Sequence, residues 1–215
     1  MFPPFRKGAL KVNPLFVKGG KGGFDGTDEI DQTDEFPMPL QLFTRMPLIR
    51  SWIDRTLAAH EKEARPVAAL IETCGFRRLP DYFEAAFLGR VRCVAVERVP
   101  VPPLASMGLR LFAGFESKHY AGITYGDTYF VDRRYDLSES LHFHELIHAV
   151  QWDCLGFDRF LLAYAGGLLR NGYARSPLEI MAYDHQRRFE TDTAPYPAEA
   201  LVREDLHARF VPRKQ

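Results

Sequence analysis

Along the chain, a hydrophobic period first becomes legible at Pro47, where Ile49, Trp52, Ile53 and Leu57 recur at helical spacing. A second, shorter helix is expected from Pro66 to Cys74, with Gly75 as its stop. Pro80 to Leu88 reads as a third, its proline tolerated in the first turn. The pattern then changes. Val91 to Val99 (VRCVAVERV) alternates and is rich in β-branched residues, which predicts a strand ended by Pro100, Pro102 and Pro103. Leu109 to Phe115 is read as a further strand. Ala121 to Val131 (AGITYGDTYFV) reads as a hairpin turning at Gly126–Asp127. Beyond it the chain is helical. Asp136 or Ser138 caps a helix running to about Cys154 and closed by Gly156, Phe157 to Leu169 forms the next, and Ser176–Pro177 opens another reaching about Phe189. The expected class is α+β, a small and mostly antiparallel sheet packed against several helices.

Residues 1–39 show neither period. A glycine cluster (Gly19, Gly20, Gly22, Gly23, Gly26) and prolines precede an acidic stretch from Asp25 to Glu35. This composition predicts a flexible or loosely docked extension, either a solvated tail or a segment lying over an active site, ahead of one domain over residues 40–215.

Composition removes some function classes. Lys plus Arg and Asp plus Glu are 28 each, so the formal net charge is zero and nothing argues for nucleic acid or an anionic membrane. No apolar run approaches the roughly 20 residues of a membrane span, and MFPPFRKGALKVNPLF lacks a signal-like apolar core. The expectation is a cytoplasmic protein. Cys74, Cys93 and Cys154 are scattered, without a CxxC, which suits reduced thiols better than a disulfide framework.

The candidate chemistry is the HELIH motif, His144 to His148, on a helix with an apolar stripe of Phe143, Ile147 and Val150. Residues four apart on a helix differ by about 40° and one turn, so both imidazoles reach a single ion. Glu145 lies about 100° round from His144, beside the metal, where it can take a proton from a water. A helix buried on several sides would not ordinarily carry two histidines and a glutamate without a use for them. Zn²⁺ is the expected cofactor, since a catalytic zinc has three protein ligands and one open position.

Three residues are candidates for the third ligand. Cys154 lies six beyond His148, but unbroken helix would carry it away from the ion. Glu179, in SPLEIMAYDHQRRFE, sits on a later helix that can fold back on the first, although Ser176-x-x-Glu179 also has the form of a capping box. Asp184 is a fallback on the same helix. Glu179 is preferred. Tyr173, Tyr183 and His185 are near it in sequence as transition-state donors or supports, while His60, His119, His142 and His207 lack ligand spacing.

HELIHAVQ, preceded by a hairpin like AGITYGDTYFVD and followed by a PLEIMAYD helix, resembles the small HExxH metallopeptidase-like domains of the gluzincin type. The resemblance covers roughly Ala121 to Arg188. It implies a zincin-like fold, His144, His148 and Glu179 as zinc ligands, Glu145 as the base, and a peptide or protein substrate. Thermolysin-like members carry an aspartate four residues beyond the ligand glutamate. Here that position is Tyr183, with Asp184 one step further. The expected activity is zinc-dependent amide hydrolysis by Glu145 and a metal-activated water. The alternative is a non-catalytic zinc-stabilised binding or structural module. A peptide substrate is expected to add as a strand along Ala121–Tyr125.

Overall fold

The computed structural model describes residues 38–210 apart from residue 193, with side chains from residue 41 onward. The expected extension over residues 1–39 thus lies almost wholly outside the described residues. The first element, α1 (Met38–Ala59), begins earlier than its sequence period suggested and runs through Pro47. Proline cannot donate to the carbonyl of Phe43, but Phe43 is exposed, so water can replace that bond. Leu42, Met46, Ile49 and Ile53 form its buried stripe.

A two-residue strand β1 (Arg65–Pro66) leads into α2 (Val67–Cys74), which ends as expected at Gly75 in the left-handed region, φ 74°. The single helix expected from Pro80 to Leu88 is two pieces, a 3₁₀ turn at Leu79–Asp81 and α3 (Ala85–Arg90). The break falls at Glu84, which is extended and gives its N–H to the Glu199 carboxylate, 3.0 Å. It lets the neighbouring Tyr82 and Phe83 both turn inward.

β2 (Arg92–Val96) is shorter than the stretch that alternates, and prolines follow it as expected. The strand expected at Leu109–Phe115 is absent. A 3₁₀ turn (Arg110–Phe112) and the short α4 (Ala113–Glu116) stand there. Leu109 and Phe112 are buried while Leu111 is 54% exposed, so a spacing of three overrode the apparent alternation. The hairpin is present as β3 (Gly122–Tyr125) and β4 (Thr128–Asp132), turning through Gly126 at φ 68°.

The strands form one sheet in the order β1-β2-β4-β3. β2 and β4 are parallel and the two outer pairings antiparallel, so the sheet is mixed rather than mostly antiparallel in its centre. α5 (Glu139–Asn171) packs on β3 and β4, and α6 (Pro177–Thr191) and α7 (Ala198–Phe210) pack in turn on α5. α5 is two helices in effect, because Gly156 interrupts it at φ 69°, ψ 174°, where a helix stop was expected. Ser138, one of the two expected caps, accepts from the Leu141 N–H. α7 had no distinct sequence signal. It is held to α5 by Arg203, which reaches Asp153 at 2.7 Å and Glu199 at 2.9 Å. Among the described residues no helix is long and apolar enough to cross a membrane.

Candidate metal centre

Residues 141 to 152 of α5 are all buried, and five of them are polar: His142, His144, Glu145, His148 and Gln151. Desolvation makes each expensive unless a partner compensates. His142 is answered inside the fold, between the Tyr129 hydroxyl at 2.7 Å and the Asp136 carbonyl at 2.8 Å. The others converge with Glu179 of α6.

His144 Nε2 and His148 Nε2 are 3.1 Å apart. Glu179 Oε1 stands 3.5 Å from His148 Nε2, and Glu179 Oε2 stands 3.7 Å from His144 Nε2. Three donors at zinc distances of 2.0–2.1 Å in tetrahedral arrangement would be about 3.3 Å from one another. The triangle is therefore of the right size for one ion. Glu179 Oε2 is moreover buried with no hydrogen-bond partner, an unusual state for a carboxylate oxygen and one that a cation would relieve. His144, His148 and Glu179 are a group that could hold a metal ion. Two neutral imidazoles and one carboxylate suit Zn²⁺.

Glu179 gets there because α6 crowds α5. A Cβ on Gly167 would come within 2.5 Å of Ser176 Oγ, so the start of α6 can pack there only against glycine. The capping-box alternative is not what the structure contains. Ser176 makes no side-chain cap bond, and the Glu179 carboxylate turns to the histidines and to Tyr164, whose hydroxyl donates to Oε1 at 2.6 Å.

Gln151 fixes His148. Its Nε2 donates to the Leu178 carbonyl at 2.9 Å, which leaves Oε1 to accept from His148 Nδ1 at 2.8 Å. That tautomer presents Nε2 as the free lone pair. His148 is thus oriented from within its own helix. His144 Nδ1 and Gln186 Oε1 are buried and complete no hydrogen bond.

Glu145 is held from the sheet. Thr124 Oγ1 donates to its Oε2 at 2.7 Å. A Cβ on Gly122 would fall 2.3 Å from its Oε1, so only glycine leaves room for the carboxylate. Burial pushes the Glu145 carboxyl up to about 7, against the opposing pull of His148 and Thr124. Burial disfavours charge on His148, but Glu179, Glu145 and Gln151 outweigh it and raise its pKa to about 9. Burial and the neighbouring His148 hold His144 down at about 3. Burial works against ionisation of Glu179, but His148 and His144 keep its carboxyl below the usual value.

The remaining candidates separate. Tyr183 packs on His144, ring centroids 4.7 Å apart. Asp184 is exposed and pairs with Arg187. His185 is turned toward Tyr196, with Nδ1 3.0 Å from its hydroxyl. Cys154 lies beside Arg203, outside the triangle. Four supporting residues had no assigned role in the sequence reading: Gln151, Tyr164, Thr124 and Gly122. Of these only Gln151 carried a local signal, one helical turn beyond His148.

β3 is an edge strand, as strand addition requires, but its edge is partly closed. The register directs the polar groups of Gly122 and Thr124 away from β4. The Thr124 carbonyl already accepts from Trp152 Nε1 at 3.0 Å. An added strand would find little beyond Gly122 to pair with.

No protein-family model matches the chain, and comparison with curated proteins and with solved structures also gave no match.

Proposed function

We propose that the protein is a zinc-dependent amide hydrolase, a peptidase of the HExxH type with a gluzincin-like ligand set and a zincin-like fold. The observation that carries this reading is the convergence of His144, His148 and Glu179 to within 3.7 Å of one another, with Glu145 lining the same cavity as His148 and Glu179.

A Zn²⁺ held there would supply a Lewis acid for a carbonyl oxygen and would lower the pKa of a water toward 7. Glu145, poised near neutrality by burial, accepts the proton of the attacking water and returns it to the departing nitrogen. Thr124 aims the Glu145 carboxylate, and Gly122 keeps its space open. Gln151 holds His148 in place, and the Tyr164 hydroxyl solvates Glu179 Oε1. Burial raises the Tyr183 hydroxyl well above its ordinary pKa, so it stays protonated beside His144, as a donor to developing negative charge must.

A second reading, a zinc-stabilised module without catalysis, is favoured by the near-complete burial of the ligands and of Glu145. Retention of Glu145 opposes it, because a structural site has no need of a base.

The test is the zinc content of untagged, chelator-free protein, beside Glu179→Ala. The expectation is about one zinc per chain in the wild type, largely lost in the variant. A wild type that takes up no zinc even when it is added back would sink the proposal. Full occupancy in Glu179→Ala would show that Glu179 is not a ligand.

A further inference from the structure

Glu145, His148 and Glu179 are the charged residues of a partly open cavity of about 90 Å³ lined mainly by α1, the segment from Pro102 to Phe115, β3 and the second half of α5. Its walls are aliphatic and aromatic, with Ile49, Leu104, Phe112, Ile123, Leu161 and Ala165 contributed by elements far apart in sequence. Among the described residues no charged side chain other than those three lines it.

The polar atoms on the walls are already engaged. Tyr120 Oη donates to the Phe115 carbonyl at 2.9 Å and Tyr125 Oη to the Pro100 carbonyl at 2.8 Å. Tyr164 is bonded to Glu179, Thr124 to Glu145, and Trp152 to the Thr124 carbonyl. A charged or hydrogen-bonding group lying against these walls, away from the end formed by Glu145, His148 and Glu179, would leave water and find few partners, whereas an aliphatic group would lose nothing. Size narrows the choice further. An apolar cavity of about 150 Å³ accepts benzene, so this smaller one suits a branched aliphatic group.

We propose that this cavity receives an uncharged aliphatic group of about the size of a leucine side chain, carried beside the amide that the metal centre cleaves. The proposal rests on the hydrolase reading given above and adds the substrate class. It also agrees with the closed β3 edge, because recognition through one buried side chain does not require a long paired strand.

The test is calorimetric titration of the full chain, loaded with zinc and assayed for bound metal, with three hydroxamates. These are acetohydroxamate, 4-methylpentanohydroxamate and 6-aminohexanohydroxamate, which share the metal-binding head and differ in the group offered to the cavity. The branched compound should bind about tenfold or more tighter than acetohydroxamate, and the amine should bind no better than acetohydroxamate. Ala165→Phe, which fills the cavity, should remove the branched compound's advantage while zinc content stays at the wild-type level. The wild-type series stands by itself if that variant does not fold.

Equal affinity for all three, preference for the amine, or no binding by zinc-loaded protein would overturn this proposal and leave the metal site standing. Persistence of the preference in folded, zinc-containing Ala165→Phe would also overturn it. Failure of the wild type to hold zinc would overturn this proposal and the hydrolase reading together.

Discussion

The two halves of α5 use one helix in opposite ways. From Glu139 to Leu155, the helix buries His142, His144, Glu145, His148 and Gln151, each answered by a partner or held at the metal triangle. From Phe157 to Asn171, it buries no polar side chain and presents Leu161, Ala165 and Leu168 to the cavity. Gly156 separates them with a backbone conformation, φ 69° and ψ 174°, that other residues scarcely adopt. The first half carries two of the three candidate ligands, His144 and His148, whose geometry comes from the i, i+4 relation. The second is a wall whose position depends on the direction the chain takes after Gly156. A difference in chemistry between adjacent segments is therefore a difference in origin: local spacing on one side, tertiary placement on the other.

The sharpest way to break the contrast is to remove the base from the first half. Glu145→Gln retains size and the Thr124 contact but cannot take a proton. Hydrolysis should fall about 10²- to 10⁴-fold with zinc content unchanged. A variant as active as the wild type would show that Glu145 is not the base, whereas absence of hydrolysis by zinc-loaded wild type and variant alike would favour the zinc-stabilised module. Next in size is Gln151→Leu, which leaves His148 Nδ1 and the Leu178 carbonyl without partners. Zinc affinity should weaken about 10- to 100-fold in competition with a chelator. Unchanged affinity would mean that packing alone fixes the His148 ring.

The same division explains what was legible in the sequence. His144, Glu145 and His148 could be read because a helix turns their spacing into geometry, and Glu179 because a fold returning on α5 brings the later helix to it. The helix stops at Gly75 and Gly156 and the turn at Gly126 were visible because glycine tolerates positive φ. Thr124 and Gly122 were not visible, since their meeting with Glu145 is a contact between a strand and a helix some twenty residues on. Leu109–Phe115 misled because seven residues with mixed apolar spacing satisfy period 2 and period 3 nearly equally, and packing decided. Asp184 and His185 were near Glu179 in sequence only. One and two residues beyond Tyr183, the helix has rotated their side chains toward Arg187 and Tyr196.

The remaining prediction asks whether the second half of α5 is wall alone. Its Tyr164 hydroxyl reaches the triangle, 2.6 Å from Glu179 Oε1. In Tyr164→Phe the ring and its packing remain while that donor is lost. A hydrogen bond to a charged group is worth about 1.5–3 kcal/mol net, and zinc would recover part of it by neutralising the carboxylate. The metal-free protein should therefore be destabilised more than the zinc-loaded one. Zinc affinity, which follows from that difference, should then not fall and should rise modestly, by a factor of about ten at most. Thermal or denaturant unfolding with and without zinc measures both sides of the cycle. If instead the zinc-loaded protein loses more, Tyr164 positions Glu179 as a ligand rather than merely solvating it. The second half of α5 would then belong to the metal centre as fully as the first.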